Sequence, residues 1–216
     1  MKQLLLLIFL ATILNLNAQT VADADGHNYK TVNISKQVWM ASNLNVTHFL
    51  NGDIIPQATT DEEWAAAAKE GKPAWCYYNN DTAKAGYGKL YNYYAIIDKR
   101  GIAPKGFHVP TVANYQELVR FLGGIHAAAF KLKNVSSWAS RGNGSNTSGF
   151  SAIPGGNRVT GGKYMELGVR SYFWTTSDDG GNLGLIYAFS LISSSSEVMY
   201  IRMDKATGCS VRCIKD

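Results

Sequence analysis

GKLYNYYAI at residues 88–96 opens a run of six segments that decides the fold of this chain. It is followed, in this order, by GIAPKGFHVPT (101–111), YQELVRFLGG (115–124), GFSAIPGGNR (149–158), YFWTTS (172–177) and SVRC (210–213). Each segment joins aromatic or aliphatic residues, which favour a buried core, to glycine, proline or a polar residue that favours a turn. None carries a recognisable catalytic arrangement, so this part of the chain predicts a scaffold with a variable C-terminal end.

The first 18 residues have the layout of a secretory signal peptide. Lys2 precedes the apolar run LLLLIFLATIL, and the small residue Ala18 marks the expected cleavage site. The apolar run is too short to span a membrane. No cysteine follows it that could carry a lipid anchor. We therefore expect residues 1–18 to be removed and the mature product to be soluble, either secreted or on the cell surface.

The remaining residues, 19–216, are enough for a single domain with its own core. No linker divides them. The chain carries a net charge of +5, but its basic residues are scattered among acidic ones. No basic block is interleaved with aromatic residues in the way that phosphate backbones require. A nucleic-acid partner is therefore not expected.

Three cysteines follow the predicted signal peptide: Cys76, Cys209 and Cys213. Their odd number allows at most one disulfide within the chain. If residues 209–213 form a strand, Cys209 and Cys213 lie roughly 13 Å apart, which is too far for a disulfide. A bridge from Cys76 to either of them would close a long loop and contribute about 4 kcal/mol. Three reduced, buried cysteines are the alternative, and the sequence leaves both open.

Two helices are predicted. Thr60 and Glu63 form a capping box, and WAAAAKE continues that helix to a stop at Gly71. Thr111 caps the second helix, which ends at 123–124. Its apolar residues recur at helical spacing, which predicts a buried face made of Tyr115, Leu118, Val119 and Leu122.

Short strands are predicted around these helices, because aromatic and β-branched segments alternate with Gly, Asn, Asp and Ser. The segments are YKTVNI, QVWMA, AWCYY, KLYNYYAII, FSAI, RSYFWTTS, LIYAFSLI and EVMYIRM. Strands cluster early and late in the chain, with both helices between them. This order predicts an α+β domain of short antiparallel strands and two helices, and not a parallel βαβ sheet.

The chain resembles the Fibrobacter succinogenes major paralogous domain family, whose secreted bacterial members are related in fold to the C-type lectin-like and formylglycine-generating-enzyme-like group. The resemblance rests on DGHNYKTVNISKQVWMASNLNV, NGDIIPQ, PAWCYYNND, YGKLYNYYAI, GIAPKGFHVPT, LGG, KLKN, GFSAIPGGNR, FWTTS and SVRCIKD. It covers nearly all of residues 19–216. It implies a C-type lectin-like fold, in which N- and C-terminal strands pair and a long irregular region displays ligand-contacting side chains.

The displayed region corresponds here to residues 177–213, which a retroelement diversifies in some bacterial and phage proteins of this fold group. The chain departs from its relatives at Cys209, where an aromatic residue is usual, and in the serine run 193–196. Tyrosine and arginine dominate binding hot spots. The resemblance therefore implies an extracellular protein or glycan as partner, contacted by Asp178, Asp179, Asn182, Tyr187, Tyr200 and Arg202.

Oxygen-rich side chains in SDDGGN are of the kind that calcium prefers. The EPN and QPD triplets of calcium-dependent lectins are absent, however, and a plain Asp-Gly turn explains the same residues. We therefore expect a turn, with no bound metal.

Catalytic sites are not evident. The four histidines, His27, His48, His108 and His126, do not form HExxH, and no GxSxG elbow is present. His108 is expected to hydrogen-bond nearby backbone before the second helix. The spacing GCSVRC is not that of a CxxC redox site. The prediction is a non-catalytic binding domain without a cofactor, with a formylglycine-generating-type enzyme and a structural subunit of a surface assembly as alternatives.

Overall fold

The structure is a computed structural model that describes residues 19–216. The predicted signal peptide, residues 1–18, lies outside the described residues. The described part is built mainly of strands: β1 (Thr20–Ala22), β2 (Asn28–Ile34), β3 (Gln37–Met40), β4 (Trp75–Cys76), β5 (Leu90–Tyr91), β6 (Phe107–His108), β7 (Gly155–Arg158), β8 (Tyr164–Leu167), β9 (Arg170–Asp178), β10 (Ile186–Ile192), β11 (Val198–Met203) and β12 (Ile214–Lys215). Its helices are α1 (Asp61–Lys69), α2 (Tyr93–Ile96), α3 (Val112–Phe121) and α4 (Ile125–Leu132), with short 3-10 turns at Tyr78–Asn80 and Thr82–Tyr87.

The strands form two five-stranded sheets and one small pair, in a mixed α+β arrangement. The first sheet has the order β1-β2-β3-β12-β6, and the second has the order β11-β10-β9-β7-β8. β4 pairs with β5. The C-terminal strand β12 pairs with the N-terminal strand β3, with Ile214 opposite Trp39. The two ends of the described chain therefore meet in one sheet, as the family resemblance implied.

Both predicted helices are confirmed, with their capping residues. The Thr60 hydroxyl accepts the Glu63 N–H at 3.2 Å, and the Glu63 carboxylate accepts the Thr60 N–H at 3.2 Å. Thr111 and Asn114 make the same reciprocal pair at the start of α3. The apolar face predicted for α3 is buried.

The prediction of only two helices was wrong. Residues 89–97 were expected to form one strand, but only Leu90–Tyr91 does so, because the Asn92 side chain accepts the Ala95 N–H at 3.1 Å and begins α2. α3 does end before 123–124, yet the chain turns at Gly124 and begins α4 at once. α4 buries Ala128, Ala129 and Leu132.

The predicted strands also differ from the structure in places. AWCYY forms a strand only at Trp75–Cys76 and passes into the 3-10 turn at Tyr78–Asn80. The segment FSAI makes only one isolated bridge, between Ala152 and Lys133. The glycine-rich GGNR, in contrast, is strand β7. Glycine is required there, because Gly156 has a φ of +64° and a Cβ on it would lie 2.3 Å from the Met165 carbonyl oxygen. A close backbone approach thus overrides the turn preference of glycine.

β9 and β10 divide the core into two main clusters. Trp174 and Ala188 point into one cluster, with Cys209 and Cys213. Phe173 and Phe189 point to the opposite face of the sheet and pack in the other, which includes the buried residues of α3 and α4. This alternation is the period-two pattern of a sheet covered on both faces.

All three cysteines, Cys76, Cys209 and Cys213, are free and fully buried in the described chain. Of the two alternatives that the sequence left open, the structure therefore contains the reduced cysteines and not the disulfide. Burial raises the pKa of each thiol above its ordinary value.

The free energy of unfolding is expected to fall as the pH rises above about 9. Burial raises the pKa of Cys209, Cys213, Tyr91 and Tyr115, so the folded chain keeps protons that the unfolded chain releases. Their stabilising contribution is complete below the ordinary pKa of each group and is lost as the pH rises through the folded-state pKa. Lys89, Lys133 and Arg212, whose pKa values burial lowers, oppose this trend but are outnumbered by the buried cysteines and tyrosines.

Urea unfolding midpoints across this pH range will measure the effect. A Cys209→Ala variant lacks one of the thiols, so its midpoint should decline less steeply than that of the unmodified chain. A midpoint that stays constant up to about pH 11, beyond the ordinary pKa of tyrosine, would contradict the prediction.

Candidate functional site

The acidic part of the predicted contact region forms the turn between β9 and β10. The Asp178 carboxylate accepts the Gly180 N–H at 3.1 Å, and the Asp179 carboxylate accepts the Gly181 N–H at 3.0 Å. Such side-chain bonds to backbone two residues ahead are typical of Asx turns. Asn182 is exposed in the same turn.

Three of the six predicted contact residues come together beside this turn. Tyr187 of β10 lies directly opposite Arg202 of the edge strand β11. An Arg202 guanidinium nitrogen lies 3.7 Å from an Asp179 carboxylate oxygen. The Arg202 side chain is 63% exposed, whereas that of Asp179 is only 6% exposed. We call Asp179, Tyr187 and Arg202 the edge patch.

Tyr200 lies on the same face of the sheet but packs inward. Its ring centroid is 5.7 Å from that of Phe189, which belongs to the core. The hydroxyl is buried and has no hydrogen-bond partner within residues 19–216. Burial raises the pKa of Tyr200 to about 12. Tyr200 therefore contributes to packing beneath the edge patch.

A second cluster of polar side chains lies elsewhere, around the turn between β1 and β2. It surrounds an open cleft of about 590 Å³, which we call the histidine cleft. The lining residues are Ala24, Asp25, His27, Asn45, Thr47, His48, Gly52, Tyr77 and Lys89.

Asp25 holds one wall of the histidine cleft. Its carboxylate accepts the Thr47 N–H at 2.5 Å and the Thr47 hydroxyl at 2.7 Å. Its other oxygen lies 2.6 Å from Nδ1 of His48. Partial burial acts to raise the pKa of Asp25, but the hydrogen bonds from Thr47 and His48 outweigh it and lower that pKa.

Asp23 holds His27, a second histidine that lines the cleft. One carboxylate oxygen accepts the His27 N–H at 2.9 Å, and the other lies 3.1 Å from His27 Nδ1. The second oxygen also accepts the Tyr29 hydroxyl at 2.5 Å. The Tyr29 hydroxyl in turn accepts the Asn45 N–H at 2.9 Å, so this network reaches Asn45, another lining residue of the cleft. Burial, followed by the contact with Asp23, raises the pKa of Tyr29.

Lys89 forms the floor of the histidine cleft. Its ammonium donates to the backbone oxygen of Asn45 at 2.5 Å and to the side-chain oxygen at 2.9 Å. It lies 4.6 Å from the ring centroid of Trp75 and 5.0 Å from that of Tyr77. Burial lowers the pKa of Lys89 to about 8. Contacts with the aromatic faces and the Asn45 oxygens offset part of the cost of holding this cation largely withdrawn from water.

Comparison with known protein families matches residues 32–215 to the Fibrobacter succinogenes major domain. The chain belongs to this family. No curated protein and no solved structure matches it.

In this Fibrobacter succinogenes major domain, the two remaining histidines pair with acidic side chains near the surface. His108 Nδ1 lies 2.8 Å from the Asp216 carboxylate, so its expected bond to nearby backbone is replaced by a contact with the last residue of the chain. His126 Nδ1 lies 2.7 Å from the Glu197 carboxylate. Between residues 19 and 216, no helix is long and apolar enough to cross a membrane, and no three acidic, histidine or cysteine side chains are arranged to hold a metal ion.

Sequence reasoning missed the histidine cleft of this domain, because its parts are far apart in the chain. Asp25, His48 and Lys89 come from three separate segments, and none belongs to a recognised catalytic or ligand-binding motif. One local signal was present. The sequence DADGH between two strands combines two acidic side chains with Gly26, which has a φ of +81° and makes the turn that brings Asp23 and His27 together.

Proposed function

We propose that this Fibrobacter succinogenes major domain is a non-catalytic binding domain of C-type lectin-like fold. In this proposal it is secreted or displayed on the cell surface, and its ligand is an extracellular protein or glycan. The observation that carries the proposal is the edge patch. An exposed arginine and a tyrosine lie side by side on paired strands of a five-stranded sheet, and these are the residue types that dominate binding hot spots.

The arrangement of the sheets supports the C-type lectin-like fold. The β3–β12 pairing joins the two ends of the described chain, and the second sheet presents the β9–β10 turn at the end of two of its strands. A rigid scaffold that presents variable turns is the usual basis for binding by loops.

Burial of the cysteines supports a binding function over the formylglycine-generating alternative. A cysteine that reacts as a thiolate needs access to solvent and a lowered pKa. Cys76, Cys209 and Cys213 are fully buried with raised pKa values. Incubation of the domain with a cysteine-containing peptide is the direct check on this alternative, and conversion of the peptide cysteine to formylglycine would establish it.

Replacing both Tyr187 and Arg202 by alanine is expected to weaken ligand binding by roughly 100-fold or more while the fold is retained. Both side chains contribute exposed surface, so their loss removes contacts without opening the core. The ligand for this measurement is the protein or glycan that the unmodified domain selects on an array. Circular dichroism and titration on the same samples separate a binding defect from unfolding.

Lys163→Ala is the matched control, because Lys163 is an exposed cation in the turn between β7 and β8, at the opposite edge of the same sheet. It should bind as the unmodified domain does. Tyr200 is left in place, since its ring packs on Phe189. Unchanged affinity in the folded double variant would show that binding does not depend on the edge patch.

A further inference from the structure

We propose that the histidine cleft is a second binding site, separate from the edge patch, and that its ligand is a neutral saccharide. Its volume of about 590 Å³ lies within the range of small-molecule sites, which is roughly 300–1,000 Å³. Three properties of the cleft favour such a ligand: fixed walls, unused hydrogen-bonding groups and a balance of charge.

The walls of the histidine cleft are fixed before any ligand arrives. Nδ1 of His27 lies 3.1 Å from Asp23, and Nδ1 of His48 lies 2.6 Å from Asp25. Each carboxylate is itself held by backbone N–H groups, including those of His27 and Thr47. A site that is already ordered loses less conformational entropy when it binds.

Both hydrogen-bond acceptors and hydrogen-bond donors remain unused in the histidine cleft. Because a carboxylate engages Nδ1 of each imidazole, Nε2 of the neutral ring is left as an acceptor. Nothing within residues 19–216 hydrogen-bonds to Nε2 of His27 or His48, and their side chains are 46% and 39% exposed. The Lys89 ammonium has three N–H donors and uses two of them on Asn45. Saccharide hydroxyls match this mixture, since each donates and accepts.

Tyr77 supplies an aromatic surface at the edge of the histidine cleft. Its ring is half-buried and packs edge-on against Trp75, with centroids 5.3 Å apart and planes at 80°. An aromatic side chain held in this way offers apolar area to the C–H groups of a sugar ring.

The charge of the histidine cleft favours a neutral ligand over an anionic one. Two carboxyl groups, those of Asp23 and Asp25, accompany one ammonium, that of Lys89. The acidic groups already engage the imidazoles. No excess of positive charge is therefore available to compensate an acidic sugar.

Histidine side-chain NMR signals will test this proposal, because the four histidines form an internal comparison. Cellobiose, mannobiose and N,N′-diacetylchitobiose serve as neutral probes, and digalacturonate serves as the acidic probe. At millimolar concentrations, at least one neutral probe should shift the His27 and His48 signals saturably. The signals of His108 and His126, which lie outside the cleft, should stay in place.

Variants test whether the NMR response comes from binding in the histidine cleft. His27→Ala removes a half-exposed side chain and should weaken binding of the responding probe about tenfold, the loss expected of one good hydrogen bond. Lys163→Ala, and the variant altered at Tyr187 and Arg202, should bind it as the unmodified domain does. This last comparison separates the cleft from the edge patch, so either site can fail independently. The absence of saturable His27 and His48 shifts with every neutral probe, or a response to digalacturonate alone, would overturn the proposal.

Discussion

Replacing Trp174 by alanine is expected to lower the free energy of unfolding by about 3–5 kcal/mol. The Trp174 side chain is fully buried in strand β9. Its indole N–H donates to the Tyr91 carbonyl oxygen at 2.7 Å, and its ring centroid lies 5.4 Å from that of Tyr93. Alanine would leave a cavity at the point where β9 contacts β5 and α2. It would also remove one of the two hydrogen bonds that the Tyr91 carbonyl oxygen accepts, the other coming from the Cys209 N–H at 3.1 Å.

Chemical denaturation of the purified variants will measure this loss. Trp174→Phe keeps most of the ring but not the N–H donor, so its loss should be smaller than that of Trp174→Ala. Thr176→Ala, at an exposed position of the same strand, should change stability by less than about 0.5 kcal/mol. A Trp174→Ala variant that unfolds at the same denaturant concentration as the unmodified domain would contradict the assigned burial.

Replacing Arg212 by alanine is expected to cost about 3–5 kcal/mol, because it removes one member of a buried polar network. Arg212 is fully buried, and its guanidinium donates to the Asn43 side-chain oxygen at 3.1 Å and also to the Phe150 carbonyl oxygen. The guanidinium lies 4.6 Å from the ring centroid of Phe150 and 5.4 Å from that of Phe173. Burial lowers the pKa of Arg212, as desolvation of a cation requires.

A double-mutant cycle separates the contribution of these hydrogen bonds to the free energy of unfolding from the effect of lost side-chain volume. Arg212→Met preserves most of the side-chain volume and leaves Asn43 without its donor. Combining it with Asn43→Ala removes both partners, so the double variant should be more stable than the sum of the two single losses predicts. If the two single losses of unfolding free energy simply add in the double variant, Arg212 stabilises the fold only by filling space.

Local signals in the sequence were sufficient where neighbouring residues determine the structure. The capping pair of Thr60 and Glu63, and the cap at Thr111, act within three residues, so both helix starts were predicted correctly. The long strands β9, β10 and β11 were also predicted, because their aromatic and β-branched residues extend over six or more positions.

Long-range packing explains what the sequence could not predict. α4 follows two glycines that indicated only an end, and its helix is stabilised by burying Ala128, Ala129 and Leu132 against the second core cluster. Arg158 gave no signal in the sequence. In the structure it is buried and donates to the Thr60 carbonyl oxygen at 2.9 Å, about 100 positions earlier in the chain.

Strand register determines which candidate contact residues share a surface. Tyr187 and Arg202 are paired across β10 and β11, and Phe189 is paired with Tyr200. Position in the sequence does not distinguish Tyr187 from Tyr200, since both lie within residues 177–213, the region predicted to be displayed. Only the packing of α3 and α4 over this face distinguishes the half-buried Tyr200 from the exposed Arg202.

Binding by the edge patch is tested most directly by a protein and glycan array probed with residues 19–216 and, in parallel, with the variant altered at Tyr187 and Arg202. We predict that the unmodified domain retains at least one protein or glycan selectively, and that the folded variant does not retain it. Retention of the same ligands by both proteins, or of none by the unmodified domain, would contradict it.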